Sequence, residues 1–227
     1  MDSLISALYP NIGHATMPMP NPATGELLVD PEIHLIAKKF NLDISFYYST
    51  GHEVDGEYGR QRACSINAKV VSMANGAYVV RGDFSTYTYS LVGSDSGITT
   101  YTGAGPNSQI RNTLVHDGSK FVETSPEGFQ LEYATQSGTT FYVSARKDAQ
   151  GVTQTITYGT GDEANLIKAI QLPGGRLVTF NYVPTIGGGP VSLLSYVEDW
   201  TGRRTSLQYD SNPVSYTHLT LPTNREV

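Results

Sequence analysis

One pattern occurs twice in the C-terminal part of the sequence, with a period of 27 residues. The paired positions are Leu166 and Leu193, Ile170 and Val197, Gly175 and Gly202, Arg176 and Arg203, Phe180 and Leu207, and Tyr182 and Tyr209. Each copy has an apolar stretch, a short turn that ends in Gly-Arg, and a second stretch that ends in tyrosine. A single hairpin cannot bury its apolar face, so a hairpin repeated at a fixed period is typical of stacked or coiled arrays. The pattern therefore predicts a structural scaffold.

Every position of the repeat has a structural interpretation. The two glycines suit turn positions that residues with a Cβ atom rarely adopt. The stems of the two arginines cover apolar surface beside the turn, and their guanidinium groups reach carbonyl oxygens or a carboxylate. The paired Phe and Leu lie two positions before the tyrosines, hence on the same strand face, where they pack against the next copy. The repeat positions are therefore predicted to define the scaffold and to take no part in chemistry.

The rest of the chain predicts an all-β fold, an antiparallel meander of hairpins. The sequence contains 23 Gly, 12 Pro and 15 Tyr, a composition that favours strands and turns over helices. Asn75-Gly76 and Asp117-Gly118 each separate two apolar runs, which is a strong hairpin signal. The strand candidates span 26–29, 33–37, 43–48, 65–73, 77–81, 86–92, 98–102, 111–115, 120–123, 129–133, 139–145 and 152–158. Only 4–9 and 162–167 have any helical character, and both are short.

Charge and cysteine content exclude several classes of function. The net charge is -6, the wrong sign for a protein that neutralises nucleic-acid phosphates. A single cysteine, Cys64, excludes an internal disulfide framework and a thiolate-rich metal site, and we expect a half-buried structural thiol there. No apolar run approaches the length of a membrane-spanning helix.

No constellation of residues predicts catalysis. The densest group of ionisable side chains, His52, Glu53, Asp55, Glu57 and Tyr58, lacks the spacing of a calcium loop, and we interpret it as a solvated turn. The histidines do not stand at metal-ligand spacing from one another or from Cys64. We therefore predict no catalytic residue, no metal site and no cofactor.

The two copies resemble the repeat unit of the Rhs/YD-repeat family, which has Gly-Arg in its turn and Tyr-Asp near its end. Residues 165–182 and 192–210 match this unit, the second of them ending in Tyr209-Asp210. Upstream, Asn-Pro-Ala-Thr-Gly at the start of 21–27 resembles a segment that often opens the leading region of the family. Residues 42–50 resemble the strand that usually follows. One departure is the absence of the Gly-x-Gly-Trp stretch, since the only tryptophan is Trp200.

The resemblance implies a structural role in a large secreted or cell-surface protein. In that family many repeats wind into a hollow β shell around a C-terminal effector, often a toxin, as in polymorphic toxins. This chain would then begin the shell or plug one end of it. Its partners would be the downstream repeats and the effector of the same chain, and no cofactor is implied. The alternative is an extracellular β module whose exposed, tyrosine-rich sheet binds carbohydrate or a cell surface.

The sequence suggests four consecutive regions. Residues 1–20 form a loose leader without a recognisable secretory signal, 21–150 an N-terminal β region, and 151–212 the two repeats. Residues 213–227 fit none of these patterns, and the back-translation of 214–223 resembles a reading frame of a transposon sequencing adapter. We therefore predict that 213–227 is non-native read-through without a role in folding. The strand over Arg204–Tyr209 would then have an unpaired edge.

Overall fold

The computed structural model describes residues 22–37, 42–52, 55–104, 111–184, 192–209 and 216–220. Within these ranges the chain forms antiparallel strands, one three-residue 3-10 turn at Gly161–Glu163, and no α-helix. The predicted all-β fold is therefore confirmed. The predicted leader at 1–20, with its helical candidate at 4–9, lies outside the described residues.

Five strands near the N-terminus form two small sheets. Strands β1 (Leu28–Ala37), β2 (Leu42–Ser49) and β5 (Arg62–Cys64) pair in the order β1-β2-β5. Strands β3 (Asp55–Gly56) and β4 (Gly59–Arg60) form a short hairpin between β2 and β5. The two strands predicted at 26–29 and 33–37 are one strand, β1, with an irregular register between Val29 and Ile33.

The next eight strands close into an antiparallel barrel. They are β6 (Lys69–Met73), β7 (Gly76–Val80), β8 (Thr86–Asp95), β9 (Ile98–Gly103), β10 (Thr113–His116), β11 (Phe121–Thr124), β12 (Gln130–Ser137) and β13 (Thr140–Lys147). Each strand pairs with the next, and β13 pairs with both β12 and β6. Closure removes the free edges that an open sheet of this length would present.

The two ends of the barrel differ in the length of their connections. At one end the connections are short, at 74–75, 96–97, 117–120 and 138–139. At the other end, which we call the barrel mouth, they span 81–85, 104–112 and 125–129. The turn predicted at Asn75-Gly76 is displaced by one residue, because Gly76 already pairs with Met73. Glycine is needed there because a Cβ atom would lie 2.3 Å from the carbonyl oxygen of Tyr89.

Six further strands extend the sheet beyond the barrel. We call this part the array: β14 (Thr153–Tyr158), β15 (Ile167–Gln171), β16 (Leu177–Val183), β17 (Leu193–Glu198), β18 (Arg204–Tyr209) and β19 (Tyr216–Thr220). Strand β19 pairs with β18, so the prediction of an unpaired edge at Arg204–Tyr209 is wrong. The position after 150, where the sequence suggested a boundary between regions, lies in the turn between β13 and β14.

Strand β13 belongs to both the barrel and the array. Its residues 140–142 pair with β6, and its residues 145–147 pair with β14. Between these halves Ser144 is an extra residue, since Tyr133 is opposite Val143 and Glu132 is opposite Ala145. Such a bulge reverses the facing of the residues that follow it. Arg146 is therefore opposite Leu131, on the interior face of the barrel.

A single apolar cluster runs through both parts. The residues buried inside the barrel are Val70, Ala77, Val79, Tyr89, Tyr101, Leu114, Phe121, Glu123, Tyr133, Phe141 and Val143. The same cluster includes Ile44, Phe46 and Cys64 of the three-stranded sheet and Ile170, Phe180 and Leu207 of the array. Strand β5 approaches the barrel mouth closely, since a Cβ atom on Gly82 would lie 1.6 Å from the carbonyl oxygen of Cys64.

Candidate functional site

The repeat positions lie in two successive hairpins, β15–β16 and β17–β18. The apolar members are buried: Leu166, Ile170, Phe180, Leu193, Val197 and Leu207. Gly175 and Gly202 have φ values of +76° and +81°. Arg176 is exposed, and the Nη2 atom of Arg203 lies 2.6 Å from the Oδ2 atom of Asp199. The structure therefore brings the apolar residues of each copy to one buried face and the arginines to the turn.

The turn of these hairpins occurs four times along the sheet. In each case the first residue donates its N–H to the fifth residue's carbonyl and accepts a hydrogen bond from the fourth residue's N–H. The turns span residues 125–129, 148–152, 172–176 and 199–203. The fourth residue is always a glycine with positive φ: Gly128, Gly151, Gly175 and Gly202. The repeat thus begins inside the barrel, two hairpins earlier than the sequence indicated.

In three of these hairpins, a tyrosine hydroxyl on one strand donates a hydrogen bond to a backbone carbonyl on the other strand. The hydroxyl of Tyr158 donates to the carbonyl of Val143 at 2.8 Å, and that of Tyr182 to the carbonyl of Ile167 at 2.9 Å. Tyr209 donates to the carbonyl of Leu194 at 2.9 Å. In all three the partners are 15 positions apart, and each tyrosine stands at a register irregularity toward the following strand. The repeated tyrosine therefore satisfies a backbone acceptor in its own hairpin.

Equivalent core positions differ between the barrel and the array. Two residues before the turn, the array has Ile170 and Val197, whereas the barrel hairpins have Glu123 and Arg146. Polar groups in such positions lose hydration, and they are stable only with partners. Glu123 and Arg146 could not be found from the repeat pattern, because their side chains are charged where the pattern has apolar residues.

Glu123 is the centre of a buried polar network at the barrel mouth. Its Oε1 atom accepts hydrogen bonds from Arg81 Nη2 at 2.5 Å, Asn112 Nδ2 at 2.8 Å and the Tyr89 hydroxyl at 3.1 Å. Its Oε2 atom accepts a hydrogen bond from the Tyr133 hydroxyl at 2.9 Å. Burial, together with the charge of Glu123, raises the pKa of Tyr89. The hydroxyl groups of Tyr89 and Tyr133 therefore stay protonated and act as hydrogen-bond donors. The network is suited to stabilising the structure of the barrel mouth rather than to proton transfer.

Two cavities lie on either side of this network. Their volumes are about 280 and 330 Å³, and both are lined by Arg81, Asn112 and Glu123. Arg146 lines the first cavity, and among the described residues no acceptor bonds its Nη1 atom. Burial lowers the pKa of Arg146.

A larger cavity, which we call the groove, lies where the barrel, the β3–β4 hairpin and the array meet. Its volume is about 490 Å³. Residues that line it include Glu57, Asn67, Lys69, Phe84, Tyr142 and Tyr158. The rim includes exposed Asp162 and Asn165, so the groove opens to solvent there.

Glu57 and Tyr58, which belong to the ionisable group that we predicted in a solvated turn, line the groove. Tyr58 is buried and donates to Asn67 Oδ1 at 2.7 Å, and Asn67 Nδ2 donates to Glu57 Oε1 at 2.5 Å. Burial raises the pKa of Glu57. The prediction of a solvated turn is therefore wrong for Glu57 and Tyr58. His52 stacks on Phe84 at 4.7 Å, while Glu53 lies outside the described residues.

Among the described residues there is no group of three His, Cys, Asp or Glu side chains placed to hold a metal ion. The structure also has, in those ranges, no helix long and apolar enough to cross a membrane.

Cys64 is fully buried, not half-buried as expected. Its burial raises the pKa of the thiol to about 12, so the reactive thiolate is scarce.

Comparison with solved structures gives a weak likeness, and comparison with sequences gives none. No protein-family model and no curated protein sequence matches the chain. The chain is similar to the N-terminal domain of the effector protein SpvB from Salmonella typhimurium strain LT2, with 11% identity and a TM-score of 0.48. The match covers 85% of this chain and 98% of that one. A likeness at this level supports no conclusion about function.

Proposed function

We propose that this chain is a structural segment of a larger shell of stacked hairpins, with the closed barrel ending the shell on one side. The observation that carries the proposal is the strand shared by barrel and array. Because β13 pairs with β6, β12 and β14, the hairpin array starts directly from the barrel wall. Apart from the part of β13 that pairs with β14, the closed barrel offers no edge for further pairing, so it is suited to terminating an array.

The internal repetition supports the same role. Four hairpins share one turn geometry, and three share the tyrosine-to-carbonyl hydrogen bond. Each unit buries its apolar face against its neighbours, which makes the number of units extensible. In the complete protein we propose further hairpins beyond β18 and a C-terminal effector, such as a toxin, enclosed by the shell. We also propose that the complete protein is exported to the cell surface or the medium.

The alternative of a carbohydrate-binding sheet rich in exposed tyrosines has less support. Six tyrosines have a structural role instead. Tyr58, Tyr89 and Tyr133 are fully buried. The hydroxyl groups of Tyr158, Tyr182 and Tyr209 each donate to a backbone carbonyl. The structural role also implies that the chain is not an enzyme. A hydrolase panel on the purified chain is expected to show no activity that His52→Ala or Glu57→Gln abolishes.

The genomic DNA beyond the codon for Asp210 tests the proposal. We expect it to encode further units with glycine in the turn and tyrosine seven residues later, the spacing from Gly151 to Tyr158 and from Gly175 to Tyr182. In the complete protein, limited proteolysis is expected to leave the C-terminal segment protected until the shell is unfolded. A reading frame that stops soon after codon 210, or an effector cleaved as fast as an unfolded control, would rule the shell out.

A further inference from the structure

The groove has the dimensions and position of a ligand site. Its volume of about 490 Å³ falls within the range of about 300–1,000 Å³ that is typical of small-molecule sites. It lies where separately formed parts of the fold meet, between Lys69 and Tyr142 on the barrel and Tyr158 and Leu166 on the array. Ligand sites occur preferentially at such junctions.

Three polar groups of the groove have bonding capacity that the described residues do not use. The carboxyl group of Glu57 accepts hydrogen bonds from Asn67 at Oε1, from Tyr58 and from its own backbone N–H, and because a carboxylate has about four acceptor sites, it keeps capacity for one more donor. No hydrogen bond or salt bridge from the described ranges reaches the Lys69 ammonium or the Tyr142 hydroxyl, although both side chains line the groove. The groove therefore offers a carboxyl group, an ammonium group and a phenol to one ligand.

Aromatic rings form the apolar part of the same groove. Tyr142 and Tyr158 stand with ring centroids 5.8 Å apart, and Phe84 is stacked on His52. The face of an aromatic ring carries partial negative charge, which attracts the weakly positive C–H groups of a ligand. The site thus combines ring faces with hydrogen-bonding groups of both kinds.

This combination discriminates between classes of ligand. An apolar lipid would remove water from Glu57 and Lys69 without supplying a hydrogen bond in its place, at a high cost in free energy. An anion would be repelled by an ionised Glu57, and a cation by Lys69. A neutral molecule with many hydroxyl groups satisfies both, since a hydroxyl donates to the carboxylate and accepts from the ammonium. Its C–H faces would lie against the tyrosine rings.

We propose that the groove binds a neutral saccharide, with hydroxyl groups bonded to Glu57, Lys69 and Tyr142 and a sugar face packed on Tyr158. The proposal is independent of the shell role, because a wall built of hairpins can carry a ligand site on its outer surface. It also differs from the alternative of an exposed tyrosine-rich sheet, because the ligand would occupy one defined groove.

The test uses the full chain and a printed array of neutral and acidic oligosaccharides. We expect saturable binding to a set of neutral glycans, and the strongest of these is then titrated by calorimetry. Lys69→Met and Tyr142→Phe each remove one hydrogen-bonding group at nearly constant shape, and each is expected to weaken binding about tenfold. Tyr78→Phe is the matched control, since Tyr78 is 39% exposed on the barrel and does not line the groove.

Several outcomes would overturn the proposal. They are the absence of saturable binding, binding restricted to acidic glycans, and equal losses in Tyr78→Phe and Tyr142→Phe. Thermal unfolding of each variant shows whether it is folded. If a variant does not fold, the binding site is located by NMR instead, from the amide chemical-shift changes of the wild-type chain when the glycan is added. Changes confined to residues around Lys69 and Tyr142 support the proposal, and changes elsewhere contradict it.

Discussion

The hydroxyl of Tyr182 donates a hydrogen bond of 2.9 Å to the carbonyl oxygen of Ile167, across the hairpin that contains both residues. The bond joins the end of β16 to the start of β15, where the register toward β17 is irregular. Because the tyrosine occurs at equivalent positions in three hairpins, the pattern seen in the sequence has a specific physical cause: one backbone acceptor in each unit requires a donor from a side chain.

Tyr182→Phe is expected to lower the free energy of unfolding by about 1 kcal/mol, the usual net contribution of one such hydrogen bond. The ring stays, so the change isolates the hydroxyl. Urea denaturation measures the effect, and Tyr158→Phe is expected to give a loss of similar size. Tyr78→Phe, at a partly exposed position, is expected to cost almost nothing. A loss for Tyr78→Phe as large as that for Tyr182→Phe would contradict the role of the hydroxyl.

Gly82→Ala is expected to prevent folding or to destabilise the fold by about 3 kcal/mol or more, as overpacking against a fixed backbone does. The added Cβ atom would lie 1.6 Å from the carbonyl oxygen of Cys64, so β5 would have to move away from the barrel mouth. Gly93→Ala in β8 is the matched control, because no atom lies within 4 Å of the Cβ position there. Circular dichroism during thermal unfolding compares the two. Similar unfolding temperatures would show that β5 moves easily.

Glu123→Gln is expected to destabilise the barrel by about 3 kcal/mol, because the charge of Arg81 then lacks its partner in a buried setting. The Glu123 side chain is only 2% exposed and that of Arg81 20%. Glu198→Gln removes the partner of Arg204 in an exposed pair, so we expect a change below about 1 kcal/mol. Equal effects of the two substitutions in urea denaturation would mean that the network at the barrel mouth is hydrated.

Glu57 is expected to make the fold less stable as the pH rises. Burial raises its pKa above the ordinary 4.5, so over that interval the folded chain holds a proton that the unfolded chain has released. The free energy of unfolding therefore falls between pH 4.5 and the folded-state pKa and is level above it. Glu57→Gln lacks this contribution, so its stability relative to the wild type should rise as the pH increases from 4.5 to the folded-state pKa. A difference that stays constant over this range would show that Glu57 is hydrated.

Truncation after residue 210 is expected to make β18 exchange its amide hydrogens faster. In the full chain β19 pairs with β18 from Ser206 to Tyr209, and removal leaves that edge open to water. Strands β13 to β16 have neighbours on both sides and should exchange at unchanged rates, which makes them the internal control. Unchanged exchange in β18 would support the interpretation of 213–227 as read-through without a role in folding.

The repeat and the tight turns could be predicted from the sequence because each depends on local residue types. Gly175, Gly202 and Gly118 stand where a positive φ is required, and the alternation of Phe180 with Tyr182 marks one strand face. Barrel closure could not be predicted in this way, since the pairing of β6 with β13 joins residues about 70 positions apart. The first two repeat units were missed because Glu123 and Arg146 stand where the later units have Ile170 and Val197.

The pairing of β13 with β6 also determines how the molecule would respond to a pulling force. Three residue pairs, from Thr140 opposite Val71 to Tyr142 opposite Lys69, close the barrel at this seam, and one backbone hydrogen bond flanks them at each end, from Ser72 to Thr139 and from Val143 to Ala68. Tension applied along the array reaches the barrel through β13 without an intervening linker, and it loads these few hydrogen bonds together. We expect such a load to open this seam before the longer pairing of β13 with β12. The barrel would then open into a twisted sheet while the hairpins stay intact.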